Sequence, residues 1–209
     1  MQRLEPLDCF STKKNKVLLP TEQELKSISC LSSFGKSLNK RALSEELLEC
    51  AIKDSSRFCN ILLQKPFLLN YVWRVKSENS IILKYYKGLQ NQLRFNTVFN
   101  DLIGLRLKVQ EYPEEYPDYF RVVDMRNGKK NDDGYRGVHL YYQLDNYHYQ
   151  VEIQLWSVQD YDFNKWSHEY GYKTLQDEEL RLLREKCDLG IITCEEQYRL
   201  EVQNLERRN

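Results

Sequence analysis

The sequence predicts an α+β fold, in which a central β-sheet is preceded and followed by helices. Three observations predict it. Apolar residues recur at helical spacing before Pro66. Alternating apolar residues follow between residues 102 and 155, and a helical pattern returns from Ser157. No repeat or low-complexity segment interrupts this order.

Three helices are predicted before the sheet. Thr21 and Glu24 have the spacing of a capping box, so the first helix begins at Thr21. Ser44 is a predicted N-cap, and the apolar residues after it recur at helical spacing until Pro66 ends or interrupts the helix. A third, basic helix is predicted from about Glu78 to Leu89.

Four strands are predicted in the middle of the chain. Leu102–Gln110 alternates apolar residues on one face, and Tyr119–Met125 is the second candidate. A turn-rich stretch separates these from Gly137–Leu144 and His148–Leu155. The last two strands are predicted to pair as a hairpin.

The two ends of the chain complete the predicted organisation. The acidic segment Asp177–Arg207 is predicted to form one long terminal helix. Residues 1–20 lack periodicity and are predicted to be a loose arm. Because 209 residues and 25.2 kDa suit one compact domain, residues 21–209 are predicted to form a single domain.

The composition argues against several classes of protein. The 31 basic residues balance 31 acidic ones, so gross charge predicts neither nucleic-acid nor membrane binding. No apolar run approaches the ~20 residues of a membrane span, and the start lacks a signal-peptide pattern, so a cytoplasmic protein is expected. The 6 cysteines form no C-x-x-C pair and the 3 histidines lack zinc spacing, which argues against a disulfide scaffold and a structural zinc site.

Charge is unevenly distributed although it sums to zero. Between Arg74 and Asn100 the chain has five basic residues and one acid, Glu78. A cationic wall of this kind beside acids indicates a polyphosphate site, and a solvated helix face is the ordinary alternative.

The first segment with chemical potential is W-R-V-K-S-E-N-S-I-I-L-K. If residues 74–77 are extended, Arg74 and Lys76 share a face. Ser80 and Lys84 share a face of the following helix, because they lie four residues apart. Such an arrangement can surround a triphosphate, with the helix N-terminus assisting. An ordinary basic helix edge is the alternative interpretation.

Two further segments place acids next to the predicted strands. Asp101 directly precedes an apolar strand, and Arg106 within that strand needs an anionic partner or a polar cleft. In V-E-I-Q-L, Glu152 and Gln154 share a face. Asp101 and Glu152 are therefore candidates to converge on one Mg²⁺ ion, which favours carboxylates with phosphate oxygens and water. Pairing of Glu152 with a basic residue across the sheet is the alternative.

The fourth segment is D-G-Y-R-G-V-H-L, at a loop-to-strand junction. Gly134 and Gly137 bracket Tyr135 and Arg136. An exposed Tyr135 would be able to stack on a nucleobase, and Arg136 to meet a phosphate. A tyrosine that only fills the core is the alternative.

In this order, the four segments resemble the synthetase domain of the RelA/SpoT family, the nucleotide pyrophosphokinases of alarmone synthesis. The resemblance runs from about Trp73 to Lys173 and includes R-V-K-x-x-x-S-I-x-x-K, D-x-x-G-L-R, G-Y-R-x-x-H-L, V-E-I-Q and W-x-H. It implies a mixed sheet flanked by helices, with nucleotidyltransferase-like architecture. It also implies a synthetase without the companion hydrolase, because no histidine here is followed by aspartate.

The resemblance implies a reaction and roles for individual residues. The β,γ-diphosphate of ATP passes to a ribose 3′-hydroxyl and AMP is released, with Asp101, Glu152 and Tyr135 as the catalytic set. Asp101 and Glu152 hold Mg²⁺, and Glu152 is also a candidate acceptor of the hydroxyl proton. ATP is bound by Arg74, Lys76, Ser80, Lys84, Lys87 and Arg106. The acceptor is bound by Tyr135, which stacks on its base, and by Arg126, Arg136, His139, Gln154 and His168.

Two runs, D-N-Y-H-Y-x-V-E-I-Q and F-N-K-W-S-H-x-Y-x-Y-K, resemble the toxic small alarmone synthetases of toxin–antitoxin pairs. Trp156 stands where other small synthetases have an arginine, and Asn131 where they have a lysine, with Lys129 and Lys130 displaced. Loss of these charges on the acceptor side disfavours a free guanosine nucleotide.

The resulting hypothesis is a toxin that pyrophosphorylates the 3′-CCA end of tRNA and inhibits translation. Its candidate tRNA patch is Lys36, Lys40 and Arg41, for which solvated helix charge is the alternative. The alternative functions are a GTP/GDP pyrophosphokinase that makes (p)ppGpp, a synthetase of an adenosine alarmone, and an inactive binding protein. An antitoxin protein is a possible partner, whereas a membrane and DNA are not predicted partners.

Overall fold

The computed structural model describes residues 18–207, so residues 1–17 of the predicted arm lie outside the described range. Within it the helices are α1 (Glu22–Ile28), α2 (Glu45–Leu62), α3 (Glu78–Gln90), α4 (Phe95–Val98), α5 (Val158–Trp166), α6 (Asp177–Asp188) and α7 (Glu195–Glu206). The strands are β1 (Val72–Val75), β2 (Ile103–Val109), β3 (Arg121–Asp124), β4 (Val138–Tyr142) and β5 (Val151–Ser157).

Local capping sets the starts of the first two helices as the sequence predicts. The Thr21 hydroxyl accepts from the backbone N–H of Glu24 at 3.2 Å, and the Glu24 carboxylate accepts from the backbone N–H of Thr21 at 2.7 Å. The Ser44 hydroxyl accepts from the backbone N–H of Leu47 at 3.3 Å. Both predicted N-caps are confirmed.

The strands form one mixed five-stranded sheet in the order β1-β2-β5-β4-β3, which confirms the predicted α+β class. β1 and β2 are antiparallel, with Val75 opposite Ile103. β5 begins at Val151 rather than at His148. The reason is local, because the Asp145 carboxylate accepts from the backbone N–H groups of Tyr147 and His148 at 2.7 and 3.2 Å and holds them in a turn.

The prediction of one long terminal helix is wrong. α6 ends at Asp188 and α7 begins at Glu195. Gly190 between them has a φ of +70°, a left-handed conformation that ends a helix. The backbone N–H groups of Ile191 and Ile192 then bond back to the Lys186 carbonyl. Gly190 was the available signal for this break, but the prediction did not use it.

Several short elements were not predicted. Pro66 is the first residue of a 3₁₀ turn, Pro66–Asn70, where its missing N–H costs nothing. β1 and α4 have only four residues each, and a π-helical turn, Ser167–Gly171, extends α5. Elements this short contain too few apolar positions to establish a period.

The chain divides into two compact units. The first comprises the residues up to Leu107 with Glu114–Val122 and Leu140–Gln154. Its core includes a ring cluster in which Tyr149 lies 5.2 Å from Phe58 and 6.0 Å from Phe95, measured between ring centroids.

The second unit comprises Lys108–Pro113, Val123–His139 and the residues from Leu155 onward. Its core is formed by Phe163, Trp166, Leu175, Leu180, Leu183, Ile192, Tyr198 and Val202. Within residues 18–207, no helix combines the length and the apolar character that crossing a membrane requires.

Candidate active site

Asp101, two residues before β2, is surrounded by three cationic side chains of the first unit. Pairing of Val75 with Ile103 brings the residue after β1, Lys76, beside it, and Lys76 Nζ lies 2.5 Å from Asp101 Oδ2. Lys84 Nζ, from α3, lies 2.9 Å from Asp101 Oδ1. Arg74 Nη2 is 3.7 Å from Oδ2, so both carboxylate oxygens face cations.

Burial and charge act against each other in this cluster. Burial by itself raises the pKa of Asp101, but the attraction of Lys84 and Lys76 and their hydrogen bonds outweigh it and leave the pKa lowered. Burial is also the largest influence on Lys76, whose pKa falls to about 8, although Asp101 opposes that shift. Lys76 has 8% of its side chain exposed, whereas Lys84 and Arg74 have 38% and 41%. Two cations therefore remain accessible to a ligand.

The other residues predicted to bind ATP are placed differently. The Ser80 hydroxyl lies 2.9 Å from the Ser77 hydroxyl at the start of α3. Lys87 is exposed in the last turn of that helix. Arg106 donates to the Gln154 side-chain oxygen from Nη2 at 3.1 Å and from Nε at 3.3 Å.

Glu152, on β5, is buried and receives hydrogen bonds from two neutral side chains. The Tyr141 hydroxyl donates to Oε1 at 3.0 Å, and Gln154 Nε2 donates to Oε2 at 2.9 Å. Only 4% of Glu152 is exposed. Burial first, and then the negative charge of Glu152, raise the pKa of Tyr141, so its hydroxyl stays protonated and acts as a donor. Gln154, predicted to bind the acceptor, here links Arg106 to Glu152.

The surroundings of the two carboxylates suit a hard divalent cation. A Cβ atom at Gly104 would lie 3.4 Å from Arg74 Nε and 4.0 Å from Glu152 Oε2, so the glycine keeps the space between these side chains open. The donors available are carboxylate oxygens, which Mg²⁺ prefers. Among the described residues there is no group of three or more His, Cys, Asp and Glu side chains able to hold a metal.

Tyr135, in the second unit, is not the exposed aromatic that the sequence suggested, since only 6% of it is accessible. Trp156 Nε1 donates to its hydroxyl oxygen at 2.7 Å, and that oxygen is 2.6 Å from His139 Nε2. Lys129 Nζ lies 4.6 Å from the Tyr135 ring centroid. A carboxylate, Asp133, holds this lysine at 2.7 Å. Lys129, from the loop that precedes Tyr135, thus lies over the Tyr135 ring.

The predicted acceptor-side arginines are each paired with a nearby aspartate. Arg126 Nη2 is 2.7 Å from Asp124 Oδ2, and Arg136 Nη1 is 2.7 Å from Asp132 Oδ1. Both line an open cavity of about 440 Å³ together with Gln110, Glu111, Tyr112, Ser157, Gln159, Asp160 and Arg184. His168, also predicted to bind the acceptor, is exposed in the π-helical turn.

Two of the three residues of the predicted tRNA patch share one aromatic ring. Lys36 Nζ and Arg41 Cζ lie 5.2 and 5.5 Å from the centroid of Phe34. Lys40, between them, is exposed and has a left-handed backbone with φ of +60°. Phe34 was not singled out from the sequence, although it lies two residues before Lys36.

Three further contributors were missed in the sequence: the Tyr141 hydroxyl, the Trp156 N–H and the Lys129 ammonium. Strand alternation was the available signal for Tyr141, because it lies two residues after His139 on β4. No local pattern marked the partners of Trp156 and Lys129. Their contacts depend on how the loop and strands pack.

Comparison with solved structures finds distant likenesses. Small alarmone synthetase 1 from Bacillus subtilis, bound to its product pppGpp, is 21% identical, with 66% of this chain and 77% of that chain covered and a TM-score of 0.42. Small alarmone synthetase 2 from the same organism is 19% identical over 78% of this chain and 94% of that chain, with a TM-score of 0.40. A GTP pyrophosphokinase family protein from Streptococcus pneumoniae is 22% identical over 66% and 74%, with a TM-score of 0.39.

No family model matches the chain, and no curated protein matches it. At these identities and TM-scores, the solved structures are too distant to assign a function to the chain.

Proposed function

We propose that this chain is an ATP-dependent pyrophosphokinase of the RelA/SpoT type, which transfers the β,γ-diphosphate of ATP to a ribose 3′-hydroxyl and releases AMP. The observation that carries the proposal is the cluster around Asp101. One buried carboxylate there meets Lys76, Lys84 and Arg74 at 2.5, 2.9 and 3.7 Å.

The charge of this cluster favours a polyphosphate. Three positive charges and one negative charge leave a net charge of two positive units around Asp101. ATP carries negative charge on adjacent phosphates, so Lys84 and Arg74, the accessible cations, would turn toward them. Lys76 is held more rigidly by burial and would keep Asp101 oriented.

Asp101 and Glu152 are the residues that would hold Mg²⁺. When bound, the ion would neutralise charge on the phosphates during transfer. The remaining work belongs to this chain: Lys84 and Arg74 bind phosphate, and Tyr141 and Gln154 hold Glu152 in place. Glu152 is also the proposed acceptor of the proton from the attacking hydroxyl.

For the acceptor we propose the 3′-CCA end of tRNA, with inhibition of translation as the outcome. Trp156 is uncharged, so it provides no cation for the phosphates of a free nucleotide. Its N–H donates to the Tyr135 hydroxyl at 2.7 Å. Lys36 and Arg41, both beside Phe34, provide cations and an aromatic ring of the kind that nucleic-acid surfaces use. Tyr135 would stack on the terminal base once Lys129 leaves its ring.

Two other acceptors define alternative outcomes. GTP or GDP as acceptor would make the chain a (p)ppGpp synthetase, and an adenosine nucleotide would make it a synthetase of an adenosine alarmone. The solved structures that resemble the chain include enzymes named small alarmone synthetases. A cytoplasmic location and neutralisation by an antitoxin protein belong to the toxin proposal.

The test is transfer of label from γ-labelled ATP in the presence of Mg²⁺ and one acceptor at a time: bulk tRNA, GTP, GDP or ATP itself. We expect label on tRNA, with an equal amount of AMP released. Removal of the tRNA 3′-terminal adenosine should abolish the transfer. Label on GTP or GDP alone would replace the toxin by an alarmone synthetase, and absence of AMP with every acceptor would overturn the pyrophosphokinase itself.

A further inference from the structure

We propose that Tyr141 is a positioning residue for the transfer step, holding Glu152 in its reactive orientation through the Tyr141 hydroxyl. The inference rests on the proposed function, because it assigns a role to Glu152 in the reaction. Tyr141 was not among the site residues that the sequence indicated.

The Glu152 carboxylate is held at both oxygens. Tyr141, on β4, donates to Oε1 at 3.0 Å, and Gln154 Nε2 donates to Oε2 at 2.9 Å. Gln154 is itself oriented, because its oxygen accepts from Arg106 on β2. A carboxylate with an oriented donor on each oxygen has its plane determined as well as its position.

Tyr141 is in turn held by a neighbour. The Arg121 guanidinium, on β3, lies 4.1 Å from the centroid of the Tyr141 ring, which is the geometry of a cation–π contact. Arg121 therefore holds the ring whose hydroxyl reaches Glu152. Each of these contacts lies within the first compact unit.

The cations around Asp101 contact that carboxylate and are separate from the Tyr141–Glu152 hydrogen bond. Lys76 and Lys84 bond to Asp101, and Arg74 lies near the same carboxylate. The contacts of Lys76, Lys84 and Arg74 with Asp101 do not involve the Tyr141 hydroxyl, so removing that hydroxyl leaves these contacts in place. The proposal therefore separates the two kinetic constants: the rate of transfer should depend on the hydroxyl, whereas ATP binding should not.

The experiment is Tyr141→Phe, which removes the hydroxyl and keeps the ring under Arg121. We expect kcat to fall about 10-fold or more, because even a small misorientation of a reacting group lowers the rate of the reaction. The KM for ATP should stay within about twofold of the unmodified protein. Rates are divided by the fraction of molecules that bind a non-hydrolysable ATP analogue, which corrects for unfolded protein.

The matched control is Tyr142→Phe, the same chemical change at the next residue of β4. Tyr142 is buried, with 3% exposed, and its ring packs on Tyr119 at 6.1 Å rather than on the site. Removal of the Tyr142 hydroxyl should leave kcat unchanged after the same correction for the binding fraction.

Three results would overturn the inference. These are an unchanged kcat in Tyr141→Phe, a fall in rate that disappears on correction for the binding fraction, and a rise in KM for ATP with kcat unchanged. In each of these results the unmodified protein still makes AMP and the proposed function stands. If the unmodified protein makes no AMP with any acceptor, the proposed function fails and the role of Tyr141 in it fails too.

Discussion

Among individual residues, the two buried carboxylates of the candidate site, Asp101 and Glu152, have different neighbours. Asp101 faces ammonium groups at 2.5 and 2.9 Å, whereas Glu152 accepts hydrogen bonds from an uncharged hydroxyl and an amide. In the proposed function, Asp101 therefore organises the cations that would meet the donor phosphates. Glu152, held by Tyr141 and Gln154, is in the proposed function the residue that would meet a metal ion or a proton.

Replacing either carboxylate by its amide should stop the reaction. We expect Asp101→Asn or Glu152→Gln to lose about 100-fold or more in AMP release at saturating ATP, because each supplies negative charge at the transition state. Asp101→Asn also leaves the buried Lys76 ammonium without its anion, which should destabilise the fold. Rates are therefore measured at a temperature well below the onset of unfolding. A variant that keeps more than about a tenth of the rate would contradict the assignment.

Metal binding should depend on the nucleotide. Because Lys84 and Lys76 occupy both oxygens of Asp101, Mn²⁺ alone should bind weakly, and a non-hydrolysable ATP analogue should tighten its binding. In Lys84→Met the freed oxygen and the lost positive charge should strengthen nucleotide-free Mn²⁺ binding about 10-fold and weaken binding of the analogue. Paramagnetic resonance of free Mn²⁺ measures both.

The matched control for this experiment is Lys53→Met, which removes the same charge from an exposed position on α2. It should change neither Mn²⁺ nor analogue binding. Equal Mn²⁺ affinity with and without the analogue in the unmodified protein would contradict the dependence. It would mean that the lysines do not close Asp101 to the ion.

Among secondary-structure elements, the separation of α6 from α7 has a conformational cause. Gly190 has φ of +70°, and no atom of the described residues beyond its chain neighbours lies within 4 Å of where a Cβ would stand. Only the backbone conformation therefore selects glycine there. Sequence periodicity reports which positions are apolar, and it does not report the backbone conformation of the residue that ends a helix.

Gly190→Ala therefore distinguishes separate helices α6 and α7 from one continuous helix, because its effect on the free energy of unfolding has opposite sign in the two cases. With the break in place, alanine should lower the free energy of unfolding by about 1 kcal/mol, since it disfavours positive φ. In one continuous helix the same change would raise it by about 1 kcal/mol. Urea unfolding measures the difference, with Leu189→Ala, at a side chain 75% exposed, as the neutral control.

α2 is tied to two distant segments, the loop at Ser33 and the residues just before β5, by one buried carboxylate. Asp54 Oδ2 accepts from the Ser33 backbone N–H at 2.8 Å and from the Tyr149 hydroxyl at 3.0 Å. Arg57 Nη2 lies 3.2 Å from Oδ1, and the Asp54 side chain is 1% exposed. This carboxylate therefore holds three segments of the first unit together.

Asp54→Ala should be strongly destabilising without a direct effect on the site. It removes the acceptor of the partly buried Ser33 N–H and of the buried Tyr149 hydroxyl, so we expect a loss of about 3 kcal/mol in urea unfolding. Tyr149→Phe, which removes one of these donors together with its bond, should cost about 1 kcal/mol. A loss below about 1 kcal/mol in Asp54→Ala would contradict the structural role.

For the whole molecule, a net charge of zero conceals local cationic surfaces. The group of Lys36, Lys40 and Arg41 lies in the loop before α2, where Lys36 and Arg41 meet Phe34. Overall charge therefore gives no long-range attraction for nucleic acid. Any tRNA binding must come from such local groups.

Labelling of tRNA should consequently fall steeply as salt rises, because each phosphate contact releases a counterion. Changing Lys36, Lys40 and Arg41 to glutamine together should abolish tRNA labelling while analogue binding stays unchanged. Labelling by the unmodified protein between 50 and 200 mM salt measures the slope, and three phosphate contacts predict a loss of about 20- to 40-fold over that range. Rapid synthesis of guanosine tetra- or pentaphosphate with unlabelled tRNA would contradict the patch.

The sequence by itself determined what depends on neighbours along the chain. The capping box of Thr21 and Glu24, the N-cap at Ser44 and the order of helices and strands follow from groups a few residues apart. The sequence also indicated Arg74, Lys76 and Lys84 as a cationic group and Asp101 as an acid beside a strand, but the contact of Lys76 with Asp101 depends on the pairing of β1 with β2.

Only the tertiary structure decided the contacts that cross the chain. The Tyr135 hydroxyl meets Trp156, 21 residues away, and the buried position of the Tyr135 ring follows from that packing. The Tyr149 hydroxyl meets Asp54 across 95 residues. Such pairs depend on strand register and on the packing of side chains from several elements. The energy of each contact is set by groups that the local sequence does not contain, so no local pattern encodes it.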